Sequence, residues 1–329
     1  MTKTWRRKEG VERVLAILSR AGFYVFDLHH ARPSSFDLIA RRDSTLLLVK
    51  VLKNIDALGP ADARELSLQA RLLEAAPLLV GSASGSEPLE VGVVYNRYGI
   101  PVVTLETLQD YVWRGVPPFL FSSPGGVFAK VDSRRLRELR ESRGLSLGAL
   151  AEAAGVSRRT IQLYEEGAGA EVEVVERLER FLGTVLAAPF DIFDPLGVVR
   201  GREVPAPSSA GTPAPGREDW TADVLAGLDE QGWDVVVTNR SPFDALARPE
   251  EPPREDLLFL GLGDLEAAQR RAHLLGQIAR VAEGRAFFVV RERRSRLNIQ
   301  GTPLVTYAEI RRRANPEELR ELLEQREAP

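Results

Sequence analysis

Cysteine is absent from the 329 residues, methionine occurs once and histidine three times. The missing cysteine excludes disulfides, thiolate metal ligands and cysteine nucleophiles together. The histidines do little to replace them as ligands. His29 and His30 are neighbours on an expected strand, where successive side chains point to opposite faces, and His273 is alone on an expected helix. No metal site and no cofactor is expected. Long apolar runs are missing as well: Leu46 to Val49 and Phe287 to Val290 are among the longest, far short of the roughly 20 residues that cross a bilayer. Residues 1 to 15 carry Lys3, Arg6, Arg7, Lys8, Glu9, Glu12 and Arg13 without the apolar core of a secretory signal, so a cytoplasmic, nucleoid-associated protein is expected. Charge of one sign is also lacking. Lys and Arg total 44 against 47 Asp and Glu, a net charge of −3, so any contact with a polyanion must come from a local patch.

What is present is an ordinary globular composition, 44% apolar and 28% charged, on a chain long enough for two or three cores. Two stretches rich in Pro, Gly and Ser divide it. Phe121-Ser122-Ser123-Pro124-Gly125-Gly126 reads as a short hinge, and residues 197–217, which include Val204 to Gly216, read as a linker unable to bury a core. The expected domains are 1–121, 127–196 and 218–329.

The first piece opens with an amphipathic helix, Lys8 to Arg20, stopped at Gly22. Strands are expected at Phe23 to Leu28, Phe36 to Arg41 and Thr45 to Leu52, and a helix from Ala61 to Ala76. Strands near Val91 to Tyr95 and at Val102-Val103 and a helix from Leu105 to Trp113 complete it. Gly81 to Ser86 reads as a surface loop. The third piece repeats this pattern. Ala21-Gly22-Phe23-Tyr24-Val25 matches Gln231-Gly232-Trp233-Asp234-Val235, and Ser35-Phe36-Asp37-Leu38-Ile39-Ala40 matches Pro242-Phe243-Asp244-Ala245-Leu246-Ala247. Leu46 to Val51 then falls on Leu257 to Leu262, and Gly99 to Thr104 on Gly301 to Thr306. Four matches in the same order imply a duplicated α/β domain with a mixed sheet. Gly261-Leu262-Gly263 is not a dinucleotide loop, because Glu266 stands where a third glycine is needed. It reads as a turn in which Asp264 caps the next helix.

The middle piece is helical. Ser133 to Arg143 places Leu136 and Leu139 inward and arginines outward, and Gly144 stops it. Ser146 is positioned to cap a second helix, Leu147 to Ala154, ended by Gly155, and Ser157 a third, Arg158 to Glu165. A fourth, Glu171 to Leu182, closes the core. Two short helices joined by Gly155-Val156-Ser157 have helix-turn-helix geometry, in which the second helix enters the major groove by its N-terminal end. Arginine suits guanine there and glutamine suits adenine.

Residues 132–182, and in particular Leu145 to Ile161 with the Tyr164-Glu165-Glu166-Gly167 ending, resemble the helix-turn-helix domain of the lambda Cro and phage repressor family. The resemblance implies base reading by Arg158, Arg159 and Gln162 and phosphate contact near Ser157 and Thr160. Leu163, where exposed, is apolar enough to touch a thymine methyl. Leu147 stands where that family commonly has a glutamine. Residues 8–113 resemble the PD-(D/E)XK nucleases, and within them archaeal Holliday-junction resolvases, through Glu12, Gly22-Phe23, Asp37, Lys50 and Gln69. That resemblance implies a restriction-endonuclease-like fold with Glu12, Asp37 and Lys50 as vestigial catalytic candidates. Such enzymes need two carboxylates for a divalent cation and a lysine beside the attacking water. Here Leu48 occupies the second acid position, and in the repeat Phe259 and Gly261 replace acid and lysine.

The expectation is a multidomain chain in which two duplicated α/β domains flank an all-α repressor-like helix-turn-helix domain. As a whole it resembles a family of archaeal transcriptional regulators. The function expected is sequence-specific binding of double-stranded DNA by a non-catalytic homodimer. Two rivals stand beside it: a structure-specific nuclease, which requires Asp37, and an adaptor of the transcription machinery, which does not require Arg158 and Arg159.

Overall fold

The computed structural model describes residues 7–31, 34–194, 219–250, 257–291, 296–312 and 315–327. The expected linker at 197–217 lies outside the described residues. Two mixed sheets and one helical cluster make up the architecture.

The first sheet follows helix α1 (Arg7–Arg20) and contains β1 (Tyr24–Asp27), β2 (Leu38–Arg42), β3 (Thr45–Asn54), β4 (Ala76–Ser84) and β5 (Glu87–Pro88). It continues with β6 (Val93–Arg97), β7 (Ile100–Val103), β8 (Leu120–Ser123) and β9 (Gly126–Ala129), in the order β1-β2-β3-β4-β7-β6-β8-β9 with β5 on β4. Helix α2 (Pro60–Leu72) connects β3 to β4, and α3 (Leu105–Arg114) follows β7. β1, β2 and β3 form an antiparallel meander, and β4 pairs with β7 in parallel.

The second sheet repeats this arrangement. After α8 (Asp219–Glu230), to be distinguished from the four central helices described below, come β10 (Trp233–Val237), β11 (Ala245–Pro249), β12 (Leu258–Gly263), α9 (Leu265–Val281) and β13 (Arg285–Val290). β14 (Asn298–Ile299), β15 (Thr302–Thr306), α10 (Tyr307–Arg312) and α11 (Pro316–Glu327) end the chain. The strand order is β10-β11-β12-β13-β15-β14. The register confirms the duplication residue by residue. Ile39 lies opposite Leu48 and Leu246 opposite Phe259, while Leu79 faces Val102 and Phe288 faces Leu304. The backbone carries the same signature: Tyr98-Gly99 and Gln300-Gly301 both turn through positive φ, at 53° and 86° and at 51° and 81°, as a tight hairpin requires.

The sequence reading departs from the structure at β4. Only Gly85 and Ser86 of the expected loop Gly81 to Ser86 form an exposed turn; Gly81 to Ser84 belong to β4, with Gly81 and Ser82 buried, and a Cβ on Gly81 would stand 2.4 Å from Ile55. Ala76 to Val80 is a short apolar run that periodicity cannot assign; the expected helix reaches into it at Ala76, whereas the observed helix ends at Leu72. The glycine marks close packing. The breakers at 121–126 likewise form a turn in a hairpin, β8 pairing with β9 through Phe121 opposite Phe128.

By compactness, residues 1–17, 52–58 and 78–202 form one unit and residues 18–51, 59–77 and 203–329 another. Within the first unit the β8–β9 hairpin leads directly into the helical cluster. That cluster comprises α4 (Ser133–Ser142), α5 (Leu147–Ala154), α6 (Arg158–Glu165) and α7 (Val172–Leu182). Its core joins Leu136, Leu150, Ile161, Tyr164, Val174 and Leu178 with Ala129 and Val131 from the hairpin side. Bridges between Ala129 and Ala170 and between Val131 and Ala187 tie the hairpin to the helices. Among the described residues no helix is long and apolar enough to cross a membrane.

Gly169 is the tightest point of this junction. A Cβ there would meet the Phe121 ring at 2.4 Å and the Ala129 carbonyl oxygen at 3.3 Å. Gly169→Ala is expected to destabilise the chain by about 1–3 kcal/mol, the usual cost of overpacking. Urea titration checks this, and adding Phe121→Leu is expected to recover part of the loss.

Candidate nucleic-acid interface and nuclease-like site

Helices α5 and α6 are set by side-chain caps. Ser146 accepts a hydrogen bond from the N–H of Ala149, and Ser157 from that of Thr160 at 3.0 Å. Gly155 ends α5 with φ at 69°, the left-handed conformation glycine adopts freely. These are the caps and bounds the sequence indicates. Ile161 and Tyr164 anchor α6 in the core, which leaves the opposite face in solvent.

That face carries the expected reading residues. Ser157, Arg158, Arg159, Gln162 and Leu163 are exposed and Thr160 is half-buried. Gln162 donates to Glu166 at 3.0 Å, and Arg159 lies 3.9 Å from the same carboxylate, so both begin in defined orientations. Arg158 lies against Gly148, where a Cβ would come within 3.0 Å of its Nε. Sequence reasoning missed this glycine, whose only signal is that a small residue sits at the second position of α5.

The other end of α6 is held electrostatically. Glu165 is buried and accepts hydrogen bonds from Arg140 at 2.6 Å and 3.1 Å, while Arg137 donates to the Glu165 carbonyl oxygen. The Glu165 carboxylate raises the Arg140 pKa above its ordinary value, chiefly through the hydrogen bond. Two of the arginines expected on the outer face of α4 are thus used to orient α6. From Asp132 to Ala170 there are seven arginines and six acids, a near balance that leaves little charge for nonspecific phosphate attraction.

The nuclease-like residues form a second, separately described site. Asp37 is 1% exposed, accepts from the Val51 N–H at 2.9 Å and lies 3.6 Å from the Lys50 ammonium. Lys50 also donates to the Ser34 carbonyl oxygen, and Ser35 donates through its hydroxyl to Gln69. Gln69 in turn donates to Glu65, one turn earlier on α2. The structure therefore brings Asp37, Lys50 and Gln69 together and adds Ser35 and Glu65. Glu12 is exposed on α1, with Lys8 as an ion-pair partner at 3.9 Å. Leu48 is fully buried on β3 where the second acid of the motif would stand. Among the described residues no group of three histidine or acidic side chains is arranged to hold a metal ion.

In the second repeat Asp244 keeps its backbone partner, accepting from the Leu262 N–H at 2.8 Å. Its cation is now Arg271 of α9, at 2.8 Å. A Cβ on Gly261 would overlap the Phe288 ring at 2.3 Å, so Phe288 fills the space a lysine would need. Arg271 lies over that same ring, 5.7 Å from its centre. Charge and volume have been exchanged together.

The class defined by these features is a helix-turn-helix protein joined to duplicated nuclease-like α/β folds. Residues 7–118 match the family described as PD-(D/E)XK superfamily domain, and residues 136–186 match the family described as helix-turn-helix. Similar chains include those named "Putative HTH-type transcriptional regulatory protein" from Halorubrum lacusprofundi, 37% identical over 96% of both chains, and from Archaeoglobus fulgidus, 36% identical over 85% of both. A third, from Halobacterium salinarum, is 38% identical over 96% of both. The chain belongs to this archaeal family of HTH-type transcriptional regulatory proteins. Among solved structures, a type III CRISPR defence DNA nuclease activated by cyclic oligoadenylate aligns at 12% identity over 95% of this chain and 76% of its own, with a TM-score of 0.24.

Removing one member of each ion pair separates the two nuclease-like sites. Lys50→Met leaves the Asp37 carboxylate buried without its cation and is expected to cost about 3–5 kcal/mol. Arg271→Met is expected to cost less, because the Asp244 side chain is 17% exposed against 2% for Asp37. Thermal melting of the two variants checks the order.

Proposed function

We propose that this protein is a sequence-specific DNA-binding transcriptional regulator that acts without catalysis. The observation that carries the reading is α6, a capped helix whose exposed face presents Arg158, Arg159, Gln162 and Leu163 beyond a rigid core. Arg158 and Arg159 suit guanine O6 and N7, and Gln162 suits adenine. Ser157 and Thr160 lie at the helix N-terminus, where free N–H groups favour a phosphate. The chain acts in the cytoplasm on the nucleoid, with double-stranded DNA as its partner and no cofactor. Its working parts are a nuclease-like domain at 1–121, the reader at 127–196, a linker at 197–217 and the second nuclease-like domain at 218–329. A homodimer supplies what one nearly neutral reader lacks, placing two recognition helices on half-sites about 34 Å apart.

The test is selection of genomic DNA fragments by the full-length protein in about 150 mM salt, which suppresses nonspecific contacts. A palindromic motif that the Arg158→Ala, Arg159→Ala double variant loses is the expected result. Equal recovery by the variant would remove α6 as the reader and favour an adaptor of the transcription machinery.

A nuclease reading is supported by the superfamily match and by the surviving Asp37–Lys50 pair. It is disfavoured because Leu48 supplies no second carboxylate for a divalent cation. Incubation with branched and linear DNA in magnesium is expected to leave both uncut. Cutting that disappears in Asp37→Ala would reverse this assignment.

A further inference from the structure

The two repeats meet within the second compact unit through a contact that each makes with the other in the same way. Arg41 of β2 donates from Nε to the Val281 carbonyl oxygen at 2.6 Å and from Nη2 to that of Ala282 at 3.1 Å. Its Nη1 lies 3.0 Å from Glu283. Arg248 of β11 donates to the Leu72 carbonyl oxygen at 2.7 Å and to Glu74 at 3.0 Å. Arg41 is four residues after Asp37 and Arg248 four after Asp244. Leu72 ends α2 and Val281 ends α9. Glu74 and Glu283 both follow with left-handed backbones, φ 52° and 58°. Each repeat thus places the same arginine on the C-terminal carbonyls of the other's equivalent helix, where a cation is favoured. Reciprocity of this kind is the mark of an isologous dimer interface, here formed inside one chain.

Asn239-Arg240 of the second repeat also contacts the first repeat beside the Asp37–Lys50 pair. The Asn239 N–H donates to Glu65 at 3.1 Å, and the Arg240 carbonyl oxygen accepts from the Ser35 N–H at 2.8 Å. The Arg240 guanidinium pairs with Asp62 at 2.6 Å. Ser35 corresponds to Pro242, and proline has no N–H to make the reciprocal bond.

We propose that the second repeat is the built-in partner of the first: the two form an intramolecular pseudo-dimer, and Asn239-Arg240 closes the mouth of the Asp37–Lys50 pocket. The face that a separate subunit or a DNA strand would need in order to reach this pocket is taken up within the chain. The proposal is independent of how α6 reads DNA.

The cysteine-free chain makes the test clean. Full-length Arg41→Cys, Glu283→Cys and Glu74→Cys, Arg248→Cys double variants are treated with a short bismaleimide at about 1 μM protein. Groups held in one chain react at millimolar effective concentration, so cross-linking within the chain outruns cross-linking between chains by about a thousandfold. Monomer-mass cross-links at both pairs are expected. Dimer-mass products would show that the contact forms between chains, and no product at either pair would show that it does not form; each overturns the proposal. Should a cysteine variant fail to fold, a double-mutant cycle of Arg41→Met and Glu283→Gln replaces it. The paired loss in melting temperature is expected to be smaller than the sum of the single losses, and additive losses would count against the contact. Closure of the pocket is read from Lys50, by mass spectrometry of lysines acylated with an N-hydroxysuccinimide ester, with exposed Lys53 as the internal standard. Arg240→Asp is expected to raise the Lys50 rate at least severalfold, and an unchanged rate would overturn the closure.

Discussion

A buried carboxylate at the head of the second strand is the constraint on which both α/β folds depend. Asp37 and Asp244 each accept a hydrogen bond from the backbone of the neighbouring strand, at Val51 and Leu262. This bond fixes the start of the strand register, but it leaves a charge in a poorly solvated place that must be balanced. The first repeat places a lysine of β3 beside its carboxylate. The second supplies an arginine from the following helix, while a phenylalanine occupies the volume beside Gly261. Each carboxylate is thus tied both to a neighbouring strand and to a cation, a structural requirement that both repeats meet with different residues.

Much of this was legible in the sequence, and the parts that were not have physical reasons. The four matched segments fixed the duplication because each carries a backbone requirement: a glycine turn, a buried aromatic beside the Asp, an apolar strand, a Gly-x-Pro hairpin. The caps Ser146 and Ser157 and the stop at Gly155 are local and were readable to the residue. β4 was not, because a five-residue apolar run has no period of its own. Arg271 was invisible for a different reason. Its partner is 27 residues away, and nothing in a helix sequence marks which arginine faces a strand end. Arg137 and Arg140 show the converse: an arginine-rich helix reads as an outward-facing charged row until the buried Glu165 that they hold is located in space.

The helical domain and the hairpin before it show how rigidity is obtained from composition that suggests the opposite. Ser, Pro and Gly at 122–126 would be linker residues elsewhere, but here positive φ at Gly125 and Gly126 is what a tight reversal needs. The strand that leaves this turn bridges Ala170 and leads into the helical core, and the missing side chain of Gly169 admits Phe121. A breaker-rich segment is therefore to be judged by what flanks it. Apolar residues on both sides, Leu120 and Phe121 before and Val127 and Phe128 after, distinguish a hairpin from a hinge.

A reader domain with a local charge of +1 cannot hold DNA by counterion release alone, since each neutralised phosphate contributes to affinity in proportion to the cations that meet it. Two-fold pairing of readers, as proposed above, is one remedy. In a chain whose α/β repeats satisfy each other's isologous contact, however, that surface is no longer free to pair two chains. Arg41 and Arg248 each have one set of helix-end carbonyls to cap, and both sets are supplied internally. In the pseudo-dimer proposed above, any pairing of recognition helices between chains then has to be specified by a different surface.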